Sequence, residues 1–192
     1  MSTKLMLVYQ SLQRRPALEA AVAENGYVAA AWVESGADLQ QALVQSGAEV
    51  LVLDIERPDE RLLRRLHDLS QRHPLPMVIF AQAGDRAVIT AAVNAGVAAY
   101  VVDGLSPQRL GPILDAAVAR FHAFQSLRND LRETREKLEE RKQIDRAKGI
   151  LMRHKQVSED QAYHALRKLA MDRNIRIGEA ACNVIAMEEL LA

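Results

Sequence analysis

The chain has 192 residues, 49% of them apolar, and its 25 basic and 25 acidic side chains cancel to a formal net charge of zero. That length accommodates one domain of ordinary size and a smaller companion, and the apolar fraction excludes broad disorder. The single cysteine, Cys182, excludes an internal disulfide and suits a reducing compartment. The longest uncharged stretch, 87–102, is too short to span a bilayer. No basic segment followed by an apolar one opens the sequence, so a cytoplasmic location is expected.

Neutrality conceals an asymmetry. Residues 1–119 carry 10 Lys and Arg against 13 Asp and Glu, and residues 120–192 carry 15 against 12. Within 141–155 there are six bases (Arg141, Lys142, Arg146, Lys148, Arg153, Lys155) and one acid, Asp145. A local excess of this kind can face phosphates in a neutral chain.

In chain order, the apolar run Lys4–Tyr9 predicts a strand and Arg15–Glu24 a helix ending near Asn25-Gly26. Tyr27–Val33 predicts a second strand and Asp38–Gln45 a second helix. Glu49–Ile55 (EVLVLDI) is almost wholly apolar, as a strand covered on both faces should be. Pro58 predicts a helix start, where its missing N–H costs little. Met77–Ala81 reads as the fourth strand. Asp85 is placed to cap a helix that stops at Asn94-Ala95-Gly96. Ala99–Val102 reads as the fifth strand, and Ser106-Pro107 opens a fifth helix. Five such units over residues 1–118 predict an α/β domain with a doubly wound, five-stranded parallel sheet. Ligand or switch chemistry in that architecture lies at the carboxyl ends of the strands. Here those ends carry Tyr9-Gln10, Asp54, Ala81-Gln82 and Asp103-Gly104.

The fifth helix is expected to continue to about His154. Phe124, Leu131 and Leu138 recur every seven residues, with Leu127 and Thr134 between them. The spacing predicts a coiled-coil seam over 119–140 that could pair two copies of the chain. A long solvated helix packing within one chain is the other reading of the same pattern. Ser158-Glu159-Asp160-Gln161 is a capping box opening a helix to about Met171, with Ala162, Leu166, Leu169 and Ala170 on its buried face. Asp172-Arg173-Asn174 is a break, and Ile177–Leu191 is the last helix.

Two places could carry chemistry. Asp54, at the end of a buried strand, is placed like the phosphorylated aspartate of a receiver domain. Phosphorylating a carboxylate also needs Mg²⁺ held by nearby acids, with a hydroxyl and an ammonium for the phosphoryl oxygens. In receivers these follow strand one and end strands four and five. Here the positions read Tyr9-Gln10, Ala81 and Asp103. Only Asp54 and the strand-five aromatic Tyr100 remain, so Asp54 is expected to be a vestigial phosphoacceptor. The second place is Arg141–His154. On a helix, Ile144, Ala147 and Leu151 share a core face, while Arg141, Asp145, Lys148 and Met152 share a neighbouring one. Ala147 and Gly149 leave room for close approach. Charge alone favours a solvated basic face there.

IDRAKGILM, followed by SEDQAYHALRKLAMDRN and a third helix, resembles the ANTAR domain of AmiR- and NasR-type antitermination regulators. The matching positions are Ile144, Asp145, Ala147, Lys148, Gly149, Leu151, Met152, Ala162, Leu166, Ala170, Met171 and Ala181, within residues 128–189. The first half is similar to the pseudo-receiver of the same regulators, and AAYVVDGLSPQRL resembles the NasT-like nitrate-assimilation members. The resemblance implies a three-helix RNA-binding module that acts on tandem hairpins of leader RNA. It further implies control by a cytoplasmic nitrate- or nitrite-binding sensor protein of the NasS type. Within that module Lys148, Arg146, Arg167, Lys168 and Arg173 are the expected RNA contacts, and Tyr163 is either core or a stacking platform. Two hairpins side by side suit a homodimer.

No enzyme is expected. The five histidines show no metal spacing, no glycine-rich phosphate loop is present, and no nucleophile elbow appears, so neither metal nor cofactor is expected. Cys182 lies on an apolar helical face and reads as a core residue, and Trp32 as core or a subunit contact. A DNA-binding response regulator is the alternative function, weakened by a last helical segment whose only base is Arg176. A protein-interaction module built on the seam is a third.

Overall fold

The computed structural model describes residues 2–103 and 105–191; Gly104, expected at the end of the fifth strand, lies outside them. The chain divides into two compact units, 1–125 and 126–192.

The first unit holds strands β1 (Lys4–Tyr9), β2 (Val28–Glu34), β3 (Val50–Ile55), β4 (Met77–Ala81) and β5 (Ala99–Val101). All pairings are parallel, in the order β2-β1-β3-β4-β5. That is the second common order of doubly wound sheets, with its switch point between β1 and β3. Helices α1 (Arg15–Glu24), α2 (Leu39–Ser46), α3 (Glu60–Arg72), α4 (Arg86–Asn94) and the first turns of α5 (Pro107–Lys155) flank it. Alternation along β1 decides which side chain meets which helix layer. Leu5, Leu7 and Tyr9 pack with Leu18 and Val22 of α1 and Leu110 and Leu114 of α5, whereas Met6 and Val8 pack with Leu43, Leu66 and Leu69 of α2 and α3. Every residue of β3 is buried, as the run EVLVLDI predicts for a central strand.

Three aspartates open helices in this unit. Asp38, Asp59 and Asp85 each accept backbone N–H groups of the first turn, which removes orphan donors. Asp59 and not Pro58 marks the start of α3; Pro58 sits one residue ahead of the cap, because the cap needs a side-chain acceptor that proline lacks. Helix α5 runs unbroken as expected, but Pro112 lies inside it, a residue which the expectation of a continuous helix left out of account. The proline deprives only the carbonyl one turn back of its donor, while its neighbours Leu110 and Leu114 stay in the core.

In the second unit the last turns of α5 pack with α6 (Glu159–Arg173) and α7 (Ile177–Leu191). Ser158 closes the capping box in both directions: its hydroxyl accepts from the Gln161 N–H at 3.3 Å, and its own N–H donates to Gln161 Oε1 at 3.1 Å. Asn174 ends α6 in the left-handed region at φ 50°. The core centre consists largely of alanines: Ala147, Ala170, Ala180 and Ala181 surround Leu166, with Ile144, Leu151, Val184 and Ile185 at the rim. Such small residues set the separation of the helices, so Ala147→Leu is expected to cost about 1–3 kcal/mol by overpacking, read by chemical denaturation of the whole chain. Cys182, expected in the core, is exposed. Ala181 and Ile185 fill the buried face of α7, and the Cys182 sulfur lies outside it, 2.7 Å from Gln143 Oε1.

Candidate nucleic-acid interface

The expected RNA contacts fall into two groups by what their charges already touch. Lys148 is the most engaged. Its side chain is 15% exposed, and its Nζ sits 2.6 Å from Asp145 Oδ1 and 2.7 Å from Glu159 Oε1. Asp145 lies one turn back on α5, whereas Glu159 belongs to the first turn of α6. Lys148 therefore clasps two helices of the unit together. The hydrogen bonds to Asp145 and Glu159 raise its pKa above the usual lysine value, and Lys148 in turn lowers that of Asp145. A side-chain carbon at Gly149, beside it, would meet only the end of the Arg153 side chain, at 3.8 Å, an ordinary van der Waals contact.

Arg167, Lys168 and Arg173 are exposed on α6 and, among the described residues, enter no ion pair. Arg146 is exposed on α5 and has a partner of its own. Tyr163 is 42% exposed and Met171 71%. Tyr163, Arg167 and Met171 stand four residues apart along α6 and so follow one stripe. An aromatic ring, a guanidinium and a polarisable thioether in line form a surface on which an unpaired base could stack while a cation meets its phosphate. Elsewhere in the unit charge is largely balanced within helices, as at Arg132–Glu136, Lys137–Glu133 and Lys142–Glu139. Phe124, Leu127, Leu131 and Leu138 of α5 are all more than half exposed.

In the first unit, Asp54 at the end of β3 is 3% exposed. Its Oδ1 lies 3.1 Å from Arg14 Nη1, and Arg14 comes from the single 3₁₀ turn Leu12–Arg14 that follows β1. The same Oδ1 takes no well-directed hydrogen bond, so the contact is an ion pair of poor angular geometry. Burial pushes the Asp54 carboxyl up from its ordinary value, and the Arg14 charge only partly offsets this. The guanidinium also meets Gln82, just past β4: with that amide turned so that its oxygen faces the cation, Oε1 accepts from Arg14 Nη2 and, at 3.1 Å, from Nη1, the nitrogen that also faces Asp54. Gln10 turns elsewhere, accepting from the Glu56 N–H at 2.8 Å. Asp103 sits at φ 72°, in the left-handed region. Tyr100 donates its hydroxyl to the Ala83 carbonyl at 2.9 Å, and its ring rests where a side chain at Gly84 would stand. Arg14 is absent from the expected site, and Gln82 is expected there only as the residue that ends strand four with Ala81. The only sequence signal for Arg14 is a basic pair, Arg14-Arg15, in an otherwise acidic half.

Residues 132–185 match the ANTAR domain family. Over 158 residues the chain is 25% identical to the transcriptional regulatory protein PdtaR of Mycobacterium tuberculosis, covering 82% of this chain and 77% of that one. Over 69 residues it is 42% identical to the nitrate regulatory protein of Klebsiella oxytoca, covering 36% of this chain and 17% of that one. The signal receiver domain of a modulated diguanylate cyclase from Desulfovibrio desulfuricans superposes with a TM-score of 0.55 at 10% identity, covering 64% of this chain and 98% of that one. At that identity the likeness shows the fold alone. The chain thus joins an α/β unit with a receiver-like fold to a C-terminal segment that matches the ANTAR domain. Among the described residues no helix is long and apolar enough to cross a membrane.

A receiver fold implies a divalent cation beside the strand-three aspartate. The residues present do not fit one. Among the described residues no second acid bears on Asp54, Gln10 and Ser11 next to β1 are neutral, and the Arg14 guanidinium already lies against Asp54 Oδ1.

Proposed function

We propose that the protein is an RNA-binding transcription antitermination regulator of nitrate or nitrite assimilation genes. It acts on leader-RNA hairpins, and a nitrate- or nitrite-binding sensor protein of the NasS type controls it in place of phosphorylation at Asp54. It is not an enzyme, and it works in the cytoplasm. The observation that carries the reading is the ANTAR segment, 42% identical to a nitrate regulatory protein. The exposed cations of α6 support it: Arg167, Lys168 and Arg173, with Arg146 of α5, form the contact set. Lys148 serves the same surface by holding α6 against α5.

The active form is a homodimer joined along Phe124, Leu127, Leu131 and Leu138, whose exposure leaves an apolar row for a second copy. Residues 119–140 act as the joining helix, between a receiver-like part over 1–118 and an RNA-binding part over 128–189. Leu131→Glu is expected to shift the sedimentation profile wholly to monomer at concentrations where the parent protein dimerises. A parent protein that stays monomeric at every concentration, alone and with RNA, removes the seam from the reading.

The deciding measurement is fluorescence anisotropy with a labelled two-hairpin leader RNA and a DNA duplex of equal length, over a salt series. Selective, salt-sensitive RNA binding supports antitermination. Sequence-selective binding to the duplex transfers the reading to a DNA-binding response regulator. Helix α7 argues against that outcome, since Ile177–Leu191 contains no Lys or Arg for a DNA groove.

A further inference from the structure

We infer that Arg14 is a built-in counter-ion: its guanidinium takes the place of a divalent cation at Asp54, so the receiver-like unit is closed to metal ions and to the phosphoryl chemistry that depends on them. The inference deepens one part of the proposed function, its independence from phosphorylation, and stands apart from RNA binding.

Three observations converge. The first is position: Arg14 arises from the turn directly after β1, the part of the chain from which a receiver supplies its cation-binding acids. The second is clamping. The guanidinium lies against both Asp54, near the carboxyl end of β3, and Gln82, just past the end of the neighbouring β4, and its Nη1 faces both. The neighbouring residue is fixed as well. Arg15 stacks its guanidinium 4.9 Å over the Trp32 ring and pairs with Glu19 at 2.9 Å, which holds the turn in place. The third is electrostatic. A divalent cation at Asp54 would share one buried carboxylate with a positive charge 3.1 Å away, with no second acid beside it. A planar guanidinium that sets its charge against a carboxylate while donating to an amide oxygen suits this place better than a compact ammonium.

An internal cation differs from a bound one in a way that matters for regulation. It cannot be removed by chelation and its occupancy does not follow ion concentration. The carboxyl-end loops are therefore tied to Asp54 permanently, and a signal must reach this unit through another surface.

Trp32 is the only tryptophan and offers a local probe: it lies one strand from Tyr9, at 6.4 Å between rings, and Tyr9 is the register partner of Asp54. The full-length protein, Asp54→Asn, Arg14→Met, Arg14→Gln and the double variant Arg14→Met/Asp54→Asn are titrated with Mn²⁺, a paramagnetic quencher, and folding is followed by circular dichroism. Parent protein is expected to show no saturable quenching. Arg14→Met or Arg14→Gln gains saturable quenching, at least about tenfold tighter than any parent response, once a positive charge leaves the carboxylate. The double variant loses it. Saturable quenching of the parent that Asp54→Asn abolishes overturns the inference, and this arm needs no Arg14 variant to fold. Folded Arg14 variants that remain blind to Mn²⁺ overturn it too, since the guanidinium would then not be what excludes the cation.

Discussion

Reversing the two adjacent charges of α6, Arg167→Glu with Lys168→Glu, is expected to weaken binding to a two-hairpin leader RNA by between about tenfold and a hundredfold near 100 mM salt. Each phosphate neutralised by a side chain releases counter-ions, so the logarithm of the binding constant falls with the logarithm of salt by about 0.7–0.9 per contact. Arg167→Ala alone should therefore flatten the salt slope by about one unit, whichever hairpin is used. Lys148→Met separates two roles. Its ammonium already faces Asp145 and Glu159 within the protein, so its loss is expected to weaken RNA binding with little change in slope. A slope that drops by a full unit in Lys148→Met would instead make that lysine a direct phosphate contact. Both substitutions are read in the same anisotropy series, with circular dichroism to follow α6.

The second large effect lies in the first unit. Arg14→Met leaves Asp54 buried without its counter-charge and is expected to cost about 1–3 kcal/mol of stability, a range lowered from that of fully buried pairs because Arg14 is one-third exposed. Asp54→Asn should cost little or even stabilise, and combined with Arg14→Met should restore most of the loss. The asymmetry follows from Asp54's raised pKa. A carboxyl raised in the folded state favours folding most when protonated, below its unfolded value. That contribution is lost as pH rises through the folded value, so the advantage of Asp54→Asn over the parent should grow from acid towards neutral pH. Equal destabilisation by either single substitution in denaturant titrations would show that the pair contributes net stability, and the account would fail.

Much of this was legible in residues taken one stretch at a time. EVLVLDI announces a strand covered on both faces, and Ser158 with Gln161 announces the start of α6; both signals are local and the structure keeps them. Signals that depend on distant partners were harder to read. Asp54 stands out because a lone acid ends an apolar run, yet its partner comes from a turn some forty residues earlier that no periodicity marks. Lys148 reads as a free cation in a basic stretch, but Glu159 reaches it across an interhelical turn. Cys182 misleads for a related reason. Helical spacing narrows the buried arc of α7 without fixing its edge, and the alanine-sized contacts at Ala180 and Ala181 leave the sulfur just outside it. Pro112 shows the converse: local chemistry argues for a break, and tertiary packing of Leu110 and Leu114 overrides it.

The place of β1 in the sheet has a consequence for how the chain comes off the ribosome. Lys4–Tyr9 is synthesised before the other four strands of the sheet but ends between β2 and β3. Five of its six residues are buried in the finished unit, so the nascent chain carries an apolar strand with two open edges. One edge closes only when β2 has emerged, and the other waits for β3, whose Asp54 pairs in register with Tyr9. Parallel pairing over such separations is slow compared with closing three consecutive helices. Until then the strand is open to edge pairing with other chains, and Lys4, its one charged and exposed residue, is the gatekeeper within it.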